Sequence, residues 1–241
     1  AVMSLISFSG AVAFAVVGKR KSVKVLEYTC LFVAASSMCA DAFIHLLPEA
    51  LEGSGDNGHH NIGFVAFLGA LSVVILEKSL EGCSTVVGAK PFGIANLAVE
   101  ALHNLIDGVA LGAAWKAGTG MAATVAIAVH ELPQELGDFA VLKRAGFPTK
   151  SLILANLLVS FTSFLGVLVA NRIDEPTLLA FTAGSFAALS LHSIFPQALQ
   201  ALPPRGFIHK LWALTLTVLA GYGLLRIADL EDDGDHHHHH H

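Results

Sequence analysis

Eight mainly apolar stretches recur along the 241-residue chain, most of them close to the roughly 20 residues that an α-helix needs to cross a bilayer. They lie near Ala1–Val17, Val25–Leu51, Ile62–Leu80, Phe92–Trp115, Thr119–Leu142, Ser151–Asn171, Thr177–Ala201 and Phe207–Ile227, and they break at clusters of charge, glycine and proline. Charged residues make up 14% of the chain, against about 25% in an average soluble domain. Mean hydropathy is +0.65, too apolar for a core with a solvated surface. The expected class is an all-α integral membrane protein: one eight-helix domain over residues 1–230, followed at 231–241 by an acidic tail and a histidine run that reads as a purification tag. No connection is long enough to separate two domains. The first stretch is short and has nothing before it, so the natural N-terminus is expected upstream. It makes a poor signal peptide, because its basic cluster follows the apolar run. Cys30, Cys39 and Cys83 are odd in number and not in paired-ligand spacing, which argues against a disulfide or zinc framework.

Basic residues set the expected orientation. Lys19, Arg20, Lys21, Lys24, Lys78, Lys90, Lys143, Arg144, Lys150, Arg205 and Lys210 border the connections after odd-numbered segments, whereas Lys116, Arg172 and Arg226 lie on the other side. Eleven against three puts the odd-numbered connections in the cytoplasm and both termini outside. Short connections and the lack of targeting segments suit a plasma (inner) membrane. The lipid bilayer is then the surrounding partner, and nothing in the pattern points to nucleic acid.

Against this apolar background, ionisable groups at membrane depth are costly and mark where function should be sought. Glu100, His103, Asn104 and Asp107 fall within one roughly 100°-wide sector of the fourth helix. His130, Glu131 and Gln134, with Glu135 and Asp138 nearby, repeat the pattern on the fifth. His-Asn-x-x-Asp and His-Glu-x-x-Gln share the offsets i, i+1, i+4, and His103 and His130 each sit near the middle of their helix. A lone membrane histidine is ordinarily a hydrogen-bonded structural residue; two matched pairs at equal depth point to a shared cation. Imidazole, carboxylate and amide donors suit zinc, or iron, manganese and cadmium with less discrimination. Without thiolates such a site should release its ion, which fits transport better than storage. Pro133, inside the second motif, lacks an N–H for the carbonyl of Val129, so the helix should bend there.

Helix two carries Met38, Asp41, His45, Glu49 and Glu52 within about 80° of one another. The stripe runs from mid-membrane to the outer surface, as the lining of an access path would, with His59 and His60 beyond it. Helix six offers Asn156 and helix seven His192 as further path residues. His45-Leu-Leu-Pro48-Glu49-Ala-Leu51 and Ser193-Ile-Phe-Pro196-Gln197-Ala-Leu199 read as weak copies on helices of opposite direction, a pattern found in transporters built from inverted repeats. Gly108 and Gly112 should let helix four approach a neighbour closely.

At these motifs the chain resembles the ZIP (Zrt/Irt-like) family of divalent metal transporters. The resemblance rests on His103-Asn-Leu-Ile-Asp-Gly-Val-Ala-Leu-Gly112, His130-Glu-Leu-Pro-Gln-Glu-Leu-Gly-Asp-Phe139 and Asp41-Ala-Phe-Ile-His-Leu-Leu-Pro-Glu49. The second departs at Gln134 from a signature that has histidine there, which weakens one of two adjoining metal sites. The histidine-rich connection usual after helix three is also missing: Glu81–Lys90 is short and has no histidine. The resemblance implies eight helices in a 3+2+3 inverted repeat, a homodimer, and zinc as transported substrate moved into the cytoplasm, with no organic cofactor. It implies His103, Asn104, Asp107, His130, Glu131 and Gln134 as metal ligands, with Met38 facing the metal; Glu100 and Glu135, on the same two helices, are counted among the candidate metal-site residues. The chain is therefore expected to be a transporter and not an enzyme. The alternative is a membrane-embedded metal-dependent hydrolase, since His130-Glu131 begins like a His-Glu-x-x-His helix; that helix lacks its second histidine and contains a proline.

Overall fold

A computed structural model describes residues 20–55, 58–81, 88–170, 172, 174–201, 215 and 219. The expected first and last helices, Ala1–Val17 and Phe207–Ile227, therefore lie outside the described residues, apart from the helical positions 215 and 219. The other six expected segments are all helical. The second is α1 (Arg20–Ala40), a π-helical turn π1 (Asp41–Leu46) and α2 (Leu47–Gly53). Then come α3 (His59–Glu81), α4 (Pro91–Ala117) and α5 (Gly120–Ala145). The sixth is divided at Phe161 into α6 (Thr149–Ser160) and α7 (Thr162–Val169), and the seventh is α8 (Glu175–Ala188), a turn π2 (Leu189–Ile194) and α9 (Phe195–Ala201). No strand occurs among the described residues.

Five of these helices are long and apolar enough to span a membrane: Leu26–Gly53, His60–Glu81, Pro91–Lys116, Thr149–Val169 and Glu175–Ala201. Helix α5 has the length, at 26 residues, but not the apolar character. Glu131, Gln134, Glu135 and Asp138 recur on it at the spacing that normally carries a helix's core face, and all four are buried. Its polarity is turned inward. The chain is thus a multi-pass membrane protein in which one long helix, α5, is polar because of what it encloses.

Glycine sets how closely these helices cross. A Cβ on Gly108 would overlap the carbonyl oxygen of Ser163, and one on Gly166 that of Leu105, so α4 and α7 meet backbone to backbone. Gly112 extends the same contact towards Val167 and Ala170. Gly69 and Gly184 do the same for α3 and α8. Helix α5 lies against α4 on one side and α1 on another, and stays helical through Pro133.

The two π turns were not expected from sequence. Each ends on an i→i−5 bond: Leu47 N–H to the Ala42 carbonyl, and Phe195 N–H to the Ser190 carbonyl. Each is followed within two residues by proline, Pro48 or Pro196. Proline offers no N–H to the carbonyl four residues back and its ring crowds that group, so a wider turn relieves both. In register, π2 is π1 moved along the alignment that pairs His45 with Ser193 and Pro48 with Pro196.

Candidate metal centre

The centre grows from the buried edge of α4. Asn96, Glu100, His103, Asn104 and Asp107 occupy one side of this helix, and each is at most 6% exposed. Helix α5 supplies Glu131 opposite them. His103 Nε2 lies 3.3 Å from Glu131 Oε1 and 3.8 Å from Asp107 Oδ2. Ligand atoms of His103, Asp107 and Glu131 all fall within 4.8 Å of one another. Zinc bonds of about 2.0–2.2 Å in a tetrahedron separate neighbouring ligand atoms by about 3.3–3.6 Å. The two measured distances bracket that value, so little movement is needed for a shared ion.

Asp41 of π1 brings a third carboxylate, its Oδ2 lying 3.9 Å from His103 Nδ1. Its other oxygen is 3.0 Å from His45 Nδ1, and His45 Nε2 is 3.4 Å from Glu49 Oε2. Side-chain exposure changes abruptly along this series: 50% at Glu49, 48% at His45, 3% at Asp41 and 2% at His103. The acidic stripe on helix two is therefore continuous with the buried centre. Three carboxylates, Asp41, Asp107 and Glu131, face His103, with His45 on the far side of Asp41, and the lysines and arginines of α1, α4 and α5 sit near helix ends. Buried charge of this kind calls for a cation.

The remaining expected residues divide by what they touch. Asn104 donates through Nδ2 to Glu100 Oε1 at 3.0 Å and to the Glu100 carbonyl at 3.1 Å. Its Oδ1 is buried without a protein hydrogen-bond partner, as is Gln134 Oε1. Both are acceptors available to a metal. Glu135 accepts from Asn156 Nδ2 at 3.2 Å, which joins α6 to α5. Met38 is fully buried three residues before Asp41. His130 lies on α5, with its side chain outside those described. Glu52 and His60 are exposed, and His192 stands on the exposed side of π2.

Two contributors to the centre, and one contact beyond it, escaped the sequence reading. Phe186 of α8 packs against the His103 imidazole, with ring centroids 4.9 Å apart and planes tilted by 43°, and so fixes that ring from the side. Asn96 donates to Asp138 Oδ1 at 2.8 Å across the α4–α5 contact. Its spacing of four from Glu100, and of eight from Asn104, was the available signal. Ser193 of π2 donates to Glu77 of α3.

Comparison with known proteins adds a separate line. The family model described as ZIP zinc transporter matches residues 86–227, more than half of the chain. Zinc transporter ZIP10 of Mus musculus is 32% identical over 169 residues, covering 63% of this chain and 20% of that protein. Zinc transporter ZIP4 of Homo sapiens is 37% identical over 147 residues, covering 56% of this chain and 22% of that protein. Zinc transporter YKE4 of Saccharomyces cerevisiae is 27% identical over 258 residues, covering 88% and 74% respectively. The chain thus spans about a fifth of the mammalian relatives' length and about three quarters of the yeast one.

Proposed function

Because this chain belongs to the ZIP zinc transporter family, we propose that it carries divalent metal ions, zinc foremost, into the cytoplasm through the centre between α4 and α5. The observation that supports this reading is the convergence of Asp41, Asp107 and Glu131 on His103. Carboxylates replace the charge stabilisation an ion loses with its water, and imidazole favours a borderline metal over calcium or magnesium. Asn104 and Gln134 add neutral oxygens, and His130 and Met38 complete the proposed ligand set. Iron, manganese and cadmium are the other candidates for the same donors.

In this reading an ion is gathered at Glu52, Glu49 and His45, passes Asp41, and is held by His103 with Asp107 and Glu131. The support is the unbroken series of short separations from Glu49 to His103. Asn156 takes part through Glu135, and His192 is kept as a residue of the release side. The whole protein is proposed to have eight spanning helices in a 3+2+3 inverted repeat, with both termini outside a plasma membrane, and to work as a homodimer. The matching positions of π1 and π2 favour the repeat. The relatives it matches are named as transporters, and the hydrolase alternative is not carried further.

Uptake of zinc by proteoliposomes containing the purified chain tests the assignment. His103→Ala should abolish uptake while the protein elutes as the same folded species; uptake at the parent rate would refute the centre.

A further inference from the structure

Asn104 presents a problem of orientation. Its amide has an oxygen that can bind a cation and a nitrogen that repels one, and the two ends are nearly the same size. Only one of the two rotamers serves a metal. The Nδ2 end donates twice to Glu100, at 3.0 and 3.1 Å, while the Oδ1 end is buried and without a protein partner. Glu100 is itself buried, on the same edge of α4, and four residues before it Asn96 donates to Asp138 Oδ1 at 2.8 Å, which fixes that edge against α5.

We infer that Glu100 is a positioning residue, which turns the oxygen of Asn104 towards the transported metal. The inference rests on the metal centre proposed above and assigns Glu100 no bond to the ion. Three observations favour this role over ligation: Glu100 Oε1 already accepts from Asn104; it is not among the residues whose ligand atoms cluster around His103; and its spacing from Asn96 and Asn104 stacks the three on one edge of α4. Carboxylates behind ligands commonly act this way, and removing one typically weakens metal binding by about 10- to 100-fold.

Two substitutions separate geometry from charge. In Glu100→Gln, the side-chain oxygen still accepts from Asn104, so that contact survives while the ionisable group is gone. In Glu100→Asp the ionisable group survives, but the acceptor retreats by one methylene. Zinc affinity of the full chain is measured by calorimetry in detergent, and the nitrogen and oxygen neighbours of bound zinc are counted by X-ray absorption. The expected result is parent-like affinity for Glu100→Gln, and for Glu100→Asp a loss of about 10-fold or more with one fewer oxygen neighbour. The opposite order would assign Glu100 a role through its charge. Equal loss would mark it as a ligand, and parent-like affinity in both variants would leave it no role; each of these three results overturns the inference. His103→Ala is measured alongside. If that variant keeps full affinity, the metal centre itself is refuted, a failure distinct from that of the positioning role.

Discussion

The turns π1 and π2 are the same backbone device armed with different chemistry. Both precede a proline by two residues at most, and both close on an i→i−5 bond. At equivalent positions, however, π1 has Asp41 where π2 has Leu189, and His45 where π2 has Ser193. Asp41 and His45 reach from the half-exposed surface to His103. Leu189 is buried in the apolar core, and Ser193 is occupied by Glu77. The backbone pattern recurs in both turns, while the short separations that lead to His103 belong to π1. A π turn carries one more residue per turn than an α turn and re-aims the side chains around it. In π1 that re-aiming points a carboxylate at the centre; in π2 it serves packing and a helix-to-helix hydrogen bond.

The sharpest way to break this contrast is to remove the polar groups of each turn. Asp41→Ala should lower zinc uptake by about 10- to 100-fold, as for loss of a carboxylate behind a metal-binding imidazole. His192→Ala, on the proposed release side and away from the ligand atoms around His103, should lower it by no more than about two- to threefold. An effect of His192→Ala as large as that of Asp41→Ala would break the contrast between the two turns.

A smaller difference is expected from the prolines. Pro48→Ala returns an N–H to the Ile44 carbonyl and favours closing π1 to an α turn, which would rotate Asp41 relative to the residues beyond it by about 100°. Uptake should fall several-fold for Pro48→Ala and less for Pro196→Ala. Equal losses would indicate that the turns matter as hinges in both halves and not for aiming Asp41.

The smallest effect concerns stability alone. Ser190 Oγ donates to the Ala35 carbonyl at 2.5 Å and ties π2 to α1. Ser190→Ala should reduce stability by about 0.6–1 kcal/mol, read as a small drop in melting temperature in detergent, with uptake unchanged. A loss of uptake without a loss of stability would give π2 a functional part that the comparison denies it.

Much of the centre could be read from spacing, because helical periodicity decides which residues share a face before any neighbour is known. His103, Asn104 and Asp107 belong to one edge of α4 on that ground, as Glu131 and Gln134 belong to one edge of α5. The acidic stripe of helix two and the close approach at Gly108 followed from the same logic. Spacing could not assign Glu100 and Glu135 their immediate neighbours. Both lie on the correct faces, yet they touch Asn104 and Asn156 respectively, and that depends on how far each helix is rotated and how closely the pairs cross.

By itself the sequence determined that the chain would be helical and membrane-spanning, and that its buried charges would lie on two matched helix edges. Apolar length and the cost of unpaired polar groups in lipid leave little other choice. Only the tertiary structure decided which of those charges meet. The π turn that aims Asp41 at His103, the Phe186 ring set against the imidazole, and the Asn96–Asp138 hydrogen bond all join segments distant in sequence. Their contacts depend on relative rotation, crossing distance and local widening of a helix, and no periodicity within a single helix encodes these.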